Sequence, residues 1–103
     1  SLYSTSMTIS RVILINVPEG QEADAERVWK EDCSTLMRKQ KGCTAEKLLR
    51  SLDRPGLFIS YSEWDSQVDI DRYRDSEDHK SIQSESRALQ GGRAVVWRYE
   101  VVE

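Results

Sequence analysis

The segment Arg11-Val-Ile-Leu-Ile-Asn-Val17 carries apolar side chains at successive positions. As a strand it therefore presents hydrophobic groups to both faces of a sheet, and each face needs a cover. Pro18-Glu-Gly20 closes the strand as a turn. From Glu22 to about Gln40 the positions Ala25, Val28, Trp29, Cys33, Leu36 and Met37 recur at helical spacing, which predicts an amphipathic helix lying on one face. Lys41-Gly42 ends it, the basic side chains complementing the helix terminus and the glycine supplying a left-handed stop.

The rest of the chain extends this pattern. Cys43 to about Leu52 is a second strand, and Asp53-Arg-Pro-Gly56 is a tight reversal into a third, Leu57 to Trp64. In the third strand Leu57, Ile59 and Tyr61 alternate with Phe58, Ser60 and Ser62. Asp65 and Ser66 are N-cap residues, and Ser66 with Asp69 approximates a capping box, so a helical region starts there and carries Val68, Ile70 and Tyr73. A second cap at Ser76 breaks it. His79, the only histidine, then falls in a first helical turn and shares an inward face with Ile82, Ser86 and Leu89. The region runs to about Gln90 and stops at Gly91-Gly92. A last strand, Arg93 to Val102, puts Val95, Trp97, Tyr99 and Val101 on one face, with Ala94, Val96, Arg98 and Glu100 largely on the other.

Strand, helix, strand, strand, helix, strand is the order of a ferredoxin-like α+β fold, an antiparallel sheet with both helices on one face. The opposite apolar face then lacks a cover in a single copy. A second copy of the same sheet is the simplest one, so a homodimer joined through the sheet faces is expected. At 103 residues the chain has room for one domain, residues 7–103; Ser1 to Ser6 lack periodicity and are expected to be a tag remnant or disordered extension. The 15 basic and 18 acidic side chains, net charge -3, are interspersed, which speaks against nucleic acid as a partner. No apolar run approaches the roughly 20 residues of a membrane span. The expectation is a soluble, cytoplasmic protein. Cys33 and Cys43 lack CxxC spacing and are expected to be small buried hydrophobes, and with one histidine a protein-only zinc site is not expected.

The elements from Arg11 to Val102, with Lys41-Gly-Cys43, Gly56-Leu-Phe-Ile-Ser-Tyr-Ser-Glu-Trp64, Ser76-Glu-Asp-His79 and Tyr99-Glu-Val101, resemble the antibiotic biosynthesis monooxygenase-type domain. The resemblance implies a dimeric α/β barrel of two ferredoxin-like subunits, with a small-molecule cavity between sheet and helices in each. It also implies one of several functions. The expected one is a cofactor-independent monooxygenase oxidising an aromatic or quinol-like compound with O2. The alternatives are a non-catalytic dimeric barrel binding a small hydrophobic metabolite, and a haem-degrading monooxygenase. For haem chemistry that subgroup uses a histidine ligand from the second helical region, supported by an asparagine and a tryptophan. Aligned on Trp64, this chain has Tyr73 at the tryptophan position and Gln83 near the ligand position, with Asn16 offset toward the turn; no cofactor is therefore expected.

Oxidising a phenol without a cofactor needs a group to take a proton, an apolar pocket and polar contacts for the resulting anion. His79 is the first choice for the proton, because the positive end of a helix disfavours imidazolium; the alternative is a helix cap or a partly exposed polar residue. Trp64 and Tyr73 suit a cavity wall, the tyrosine as a hydrogen-bond donor, or else pack in the core. Asn16 orients a substrate carbonyl or caps the turn. At about 100° per residue Asp32 falls inside the apolar stripe of the first helix, making it either a second acid/base group or the partner of a base such as Arg98. Arg98 in turn is a candidate for binding an anionic ligand.

Overall fold

The computed structural model describes residues 7–87 and 94–102. A four-stranded sheet in the order β2-β3-β1-β4 is built from β1 (Ile9–Asn16), β2 (Cys43–Arg50), β3 (Leu57–Trp64) and β4 (Val95–Glu100), and every neighbouring pair is antiparallel. The helical layer comprises α1 (Glu22–Val28), a π-helical segment (Trp29–Cys33), α2 (Ser34–Arg38), α3 (Gln67–Arg74) and α4 (Glu77–Arg87). This is the ferredoxin-like α+β arrangement expected from the element order. The sheet is open, with β2 and β4 at its edges. The predicted stop at Gly91-Gly92, the inward position of Leu89 and the strand start at Arg93 lie outside the described residues, as do Ser1 to Ser6.

Strand register sorts the side chains by face. Ser62, Arg11 and Arg98 form one cross-strand row, and Ser60, Ile13 and Val96 the next, both on the helix side. Tyr61, Val12 and Trp97, then Ile59, Leu14 and Val95, make rows on the other side. Among the described residues no helix covers that second face, and Trp97 and Tyr99 are each 51% exposed there.

Both predicted caps form. Ser66 Oγ accepts from the Asp69 amide at 3.2 Å and donates to the Asp69 carboxylate at 2.8 Å, while Ser76 Oγ accepts from the His79 amide at 3.1 Å. Gly42 takes the left-handed conformation at φ 86°, and the carboxylate of Asp69 lies against it; a Cβ there would sit 2.3 Å from the Asp69 Cγ. The stop after α2 and the start of α3 are thereby packed on each other. Ile9, Met37, Trp64, Ile70 and Tyr73 form the core between these elements, with Cys43 and Ile82 against it.

The first helix departs from its expected regularity. A π-helical turn holds an extra residue, so a ruler of about 100° per residue loses phase across it. The buried positions Val28, Cys33 and Met37 are five and then four residues apart, as that insertion requires. Ser34 is consequently buried, and together with Arg38 it donates to the same oxygen of the buried Glu46, at 2.7 and 2.8 Å.

Candidate functional site

Three polar side chains from separate elements meet around one ring. Tyr73 enters from the last turn of α3, is 2% exposed, and stacks on Trp64 with ring centroids 5.2 Å apart and planes at 28°. His79, from the first turn of α4, meets the same phenol edge-on at 4.9 Å and 73°. Arg11, from β1, places its guanidinium carbon 5.9 Å from the centre of the Tyr73 ring, within cation-π range. The Ser76 cap brings this about: its hydroxyl donates to the Tyr73 carbonyl at 2.6 Å while it receives the His79 amide, fixing the corner between the two helices.

The cluster borders a cleft of about 200 Å³ between sheet and helices, with Arg11, Ile13, Ile15 and Ser60 as its floor and Trp29, Cys33 and Met37 above. Tyr73, His79, Ile82 and Gln83 form one wall, and Arg87 and Val96 also line it. A smaller apolar recess of about 40 Å³ continues from Ile15, Trp29 and Cys33 toward Phe58 and Val28. The Trp29 indole N–H is buried without a hydrogen-bond acceptor.

Burial governs the electrostatics here. It lowers the pKa of His79 below the ordinary imidazole value, and the nearby charge of Arg11 adds to this, so the ring is neutral at pH 7. The Tyr73 phenol is pushed up to about 12, mainly by burial and against the attraction of Arg11, and stays protonated. The Cys33 thiol is pushed up to about 11 by burial first and the neighbouring carboxylates second, so it lacks thiolate character. Among the described residues no three His, Cys, Asp or Glu side chains converge as metal ligands. The arrangement can take a proton at His79, hold a negative charge near Arg11 and seat a flat apolar body.

Of the residues singled out from the sequence, His79 and Tyr73 are brought together at the cleft. Trp64 lies behind Tyr73, fully buried, its indole N–H donating to Ser62 at 2.9 Å; it supports the wall without lining it. Asn16 is exposed at the far end of β1, and Asp32 is half-buried in the π-helical turn; neither lines the cleft. Arg98 does not pair with Asp32. It donates to Gln67 and lines a second groove beside the cleft. Sequence reasoning passed over Arg11, although its phase with Ile13 and Ile15 put a cation on the buried face of the central strand.

The comparisons agree with this architecture. No curated protein matches the chain by sequence. Among solved structures, a candidate antibiotic biosynthesis monooxygenase from Bordetella bronchiseptica superposes with a TM-score of 0.86 at 21% identity, over 94% of this chain and 99% of that one. One from Caulobacter crescentus gives 0.84 at 18% identity, over 95% and 92%. SnoaB, a cofactor-independent oxygenase from Streptomyces nogalater solved as a single-substitution variant, gives 0.81 at 18% identity, over 93% and 94%. The sequence pattern of antibiotic biosynthesis monooxygenases matches residues 8–85, most of the chain, and the protein belongs to that family.

Proposed function

We propose that the cleft oxidises an aromatic or quinol-like small molecule with O2, without a cofactor. The observation that carries this reading is the convergence of a neutral imidazole, a buried phenol and a buried guanidinium on one largely apolar cleft. Its volume of about 200 Å³ is small for a ligand site and favours a flat ring system. His79 accepts the substrate's acidic proton, and Arg11 holds the resulting phenolate or enolate. The electron-rich carbon bonds to O2 and yields a peroxide anion, which takes the proton back from His79. Loss of water, carrying one oxygen atom of O2 and two hydrogens of the substrate carbon, leaves the other oxygen as a new carbonyl. Tyr73 donates a hydrogen bond at the anion, while Asp32 and Asn16 take no part.

Two copies stacked through their open sheet faces complete this reading as a dimeric barrel. Val12, Leu14, Ile59, Val95, Trp97 and Tyr99 form the apolar surface such a pairing buries.

The test is O2 consumption by purified protein with a panel of anthrones and quinols. Turnover that falls by about 10²-fold or more in His79→Ala is expected. No consumption across the panel would leave a non-catalytic barrel that binds a hydrophobic metabolite. A Soret shift on mixing with haemin would instead favour haem breakdown.

A further inference from the structure

Arg11 and Arg98 are direct cross-strand partners on the helix side of β1 and β4. Like charges placed opposite each other destabilise a sheet, and a buried guanidinium ordinarily has a carboxylate partner. Arg11 is only 5% exposed, yet among the described residues no carboxylate oxygen lies within ion-pair distance of Arg11, Arg74 or Arg98. Arg38, Arg50 and Arg72, by contrast, each have one, and Arg27 has two. Arg54 and Arg87 also lack an ion pair among the described residues, but only Arg11, Arg74 and Arg98 gather in one place, lining a groove of about 430 Å³ between α3 and β4 with Gln67, Ile70 and Val96. Among the described residues no acidic side chain lines it.

The surrounding charges sharpen the picture. Asp71 and Asp75 line a neighbouring groove that shares Arg74 with the first and also takes in His79 and Lys80. Asp71 accepts from the Gln67 amide at 2.8 Å, and the Gln67 carbonyl accepts from Arg98, so this amide holds Arg98 in place. Arg11 and Val96 line both this groove and the apolar cleft, which makes the two spaces adjoining halves of one site.

We propose that the groove of Arg11, Arg74 and Arg98 is an oxyanion subsite that receives a carboxylate or phosphate borne on a small aromatic ligand, whose ring lies in the adjoining cleft. The placement of the ring rests on the cleft being the substrate pocket; the subsite itself rests on the arginines. Guanidinium forks match either oxyanion through paired N–H donors.

The test titrates the full chain, nitrogen-15 labelled, with 1-naphthoate, 1-naphthyl phosphate and the neutral 1-naphthalenemethanol, following arginine side-chain resonances and Kd at low salt. At least tenfold tighter binding of one or both anions than of the alcohol is expected, and the two anionic arms tell carboxylate from phosphate. Arg74→Gln combined with Arg98→Gln should reduce the anions to the affinity of the alcohol and leave the alcohol unchanged. Both side chains are exposed, so the variant folds, which a thermal melt checks; Arg11 is too buried for a clean substitution. Equal binding of anion and alcohol, an anion preference that survives the double substitution, or no binding of any probe would overturn the subsite. Since O2 uptake is not read, an inactive protein that discriminates anion from alcohol keeps the subsite while ending the oxygenase reading. An active oxygenase without discrimination ends the subsite alone.

Discussion

Tyr73 and His79 stand edge to face, ring centroids 4.9 Å apart, on two helices that meet at a corner held by Ser76. The phenol is kept protonated and the imidazole neutral by the same burial. A proton acceptor and a hydrogen-bond donor are therefore available side by side at pH 7.

Activity and stability should both reflect the lowered pKa of His79. The folded state resists protonation of this ring, whereas the unfolded chain binds the proton at about pH 6.5, so stability falls as pH drops below that value and levels off once the folded ring is also charged. The acid limb of kcat/KM should accordingly lie below the ordinary imidazole range and vanish in His79→Gln. Denaturant melts and rate profiles between about pH 8 and pH 5, roughly 1.5 units either side of that value, check both.

Trp64 is a packing residue with no exposed surface. Trp64→Ala should cost roughly 3–5 kcal/mol in stability, measured by urea unfolding. Tyr73→Phe removes one hydroxyl and keeps the ring, so it should change stability little. If the hydroxyl contacts substrate, that variant lowers kcat with the melt unaltered.

Gly42→Ala forces a left-handed residue to carry a Cβ and drives it into the Asp69 carboxylate. The expected loss is about 1–3 kcal/mol from the backbone, plus disruption of the Ser66 cap. Ser66→Ala alone should cost about 1 kcal/mol. Thermal melts of the two variants and of their combination read this out: because both act on Asp69, their effects should add to less than their sum.

Trp97→Arg places charge on the open sheet face, midway along the edge strand β4. If two copies stack there, sedimentation should show the variant as a single subunit and the parent chain as a dimer. Identical sedimentation of both would remove this face as the interface.

Much of this architecture was legible in the chain. The two-sided apolar run of β1, the alternation in β3, the glycine stop at Gly42 and the caps at Ser66 and Ser76 depend on neighbours a few residues away, and that is where local rules hold. The π-helical turn was not legible, because the 3.6-residue period carries no mark of where one residue is inserted. Asp32 consequently looked like a member of the buried stripe.

What the sequence by itself determined is the element order, and with it the family fold and the uncovered apolar face. Only the tertiary structure decided that Arg11 lies beside Tyr73 and opposite Arg98, that Trp64 backs the cleft, and that Asn16 and Asp32 stand away from it. These relations arise from strand register and helix crossing, which join residues 60 to 90 positions apart, and no local periodicity encodes which side chains will share a pocket.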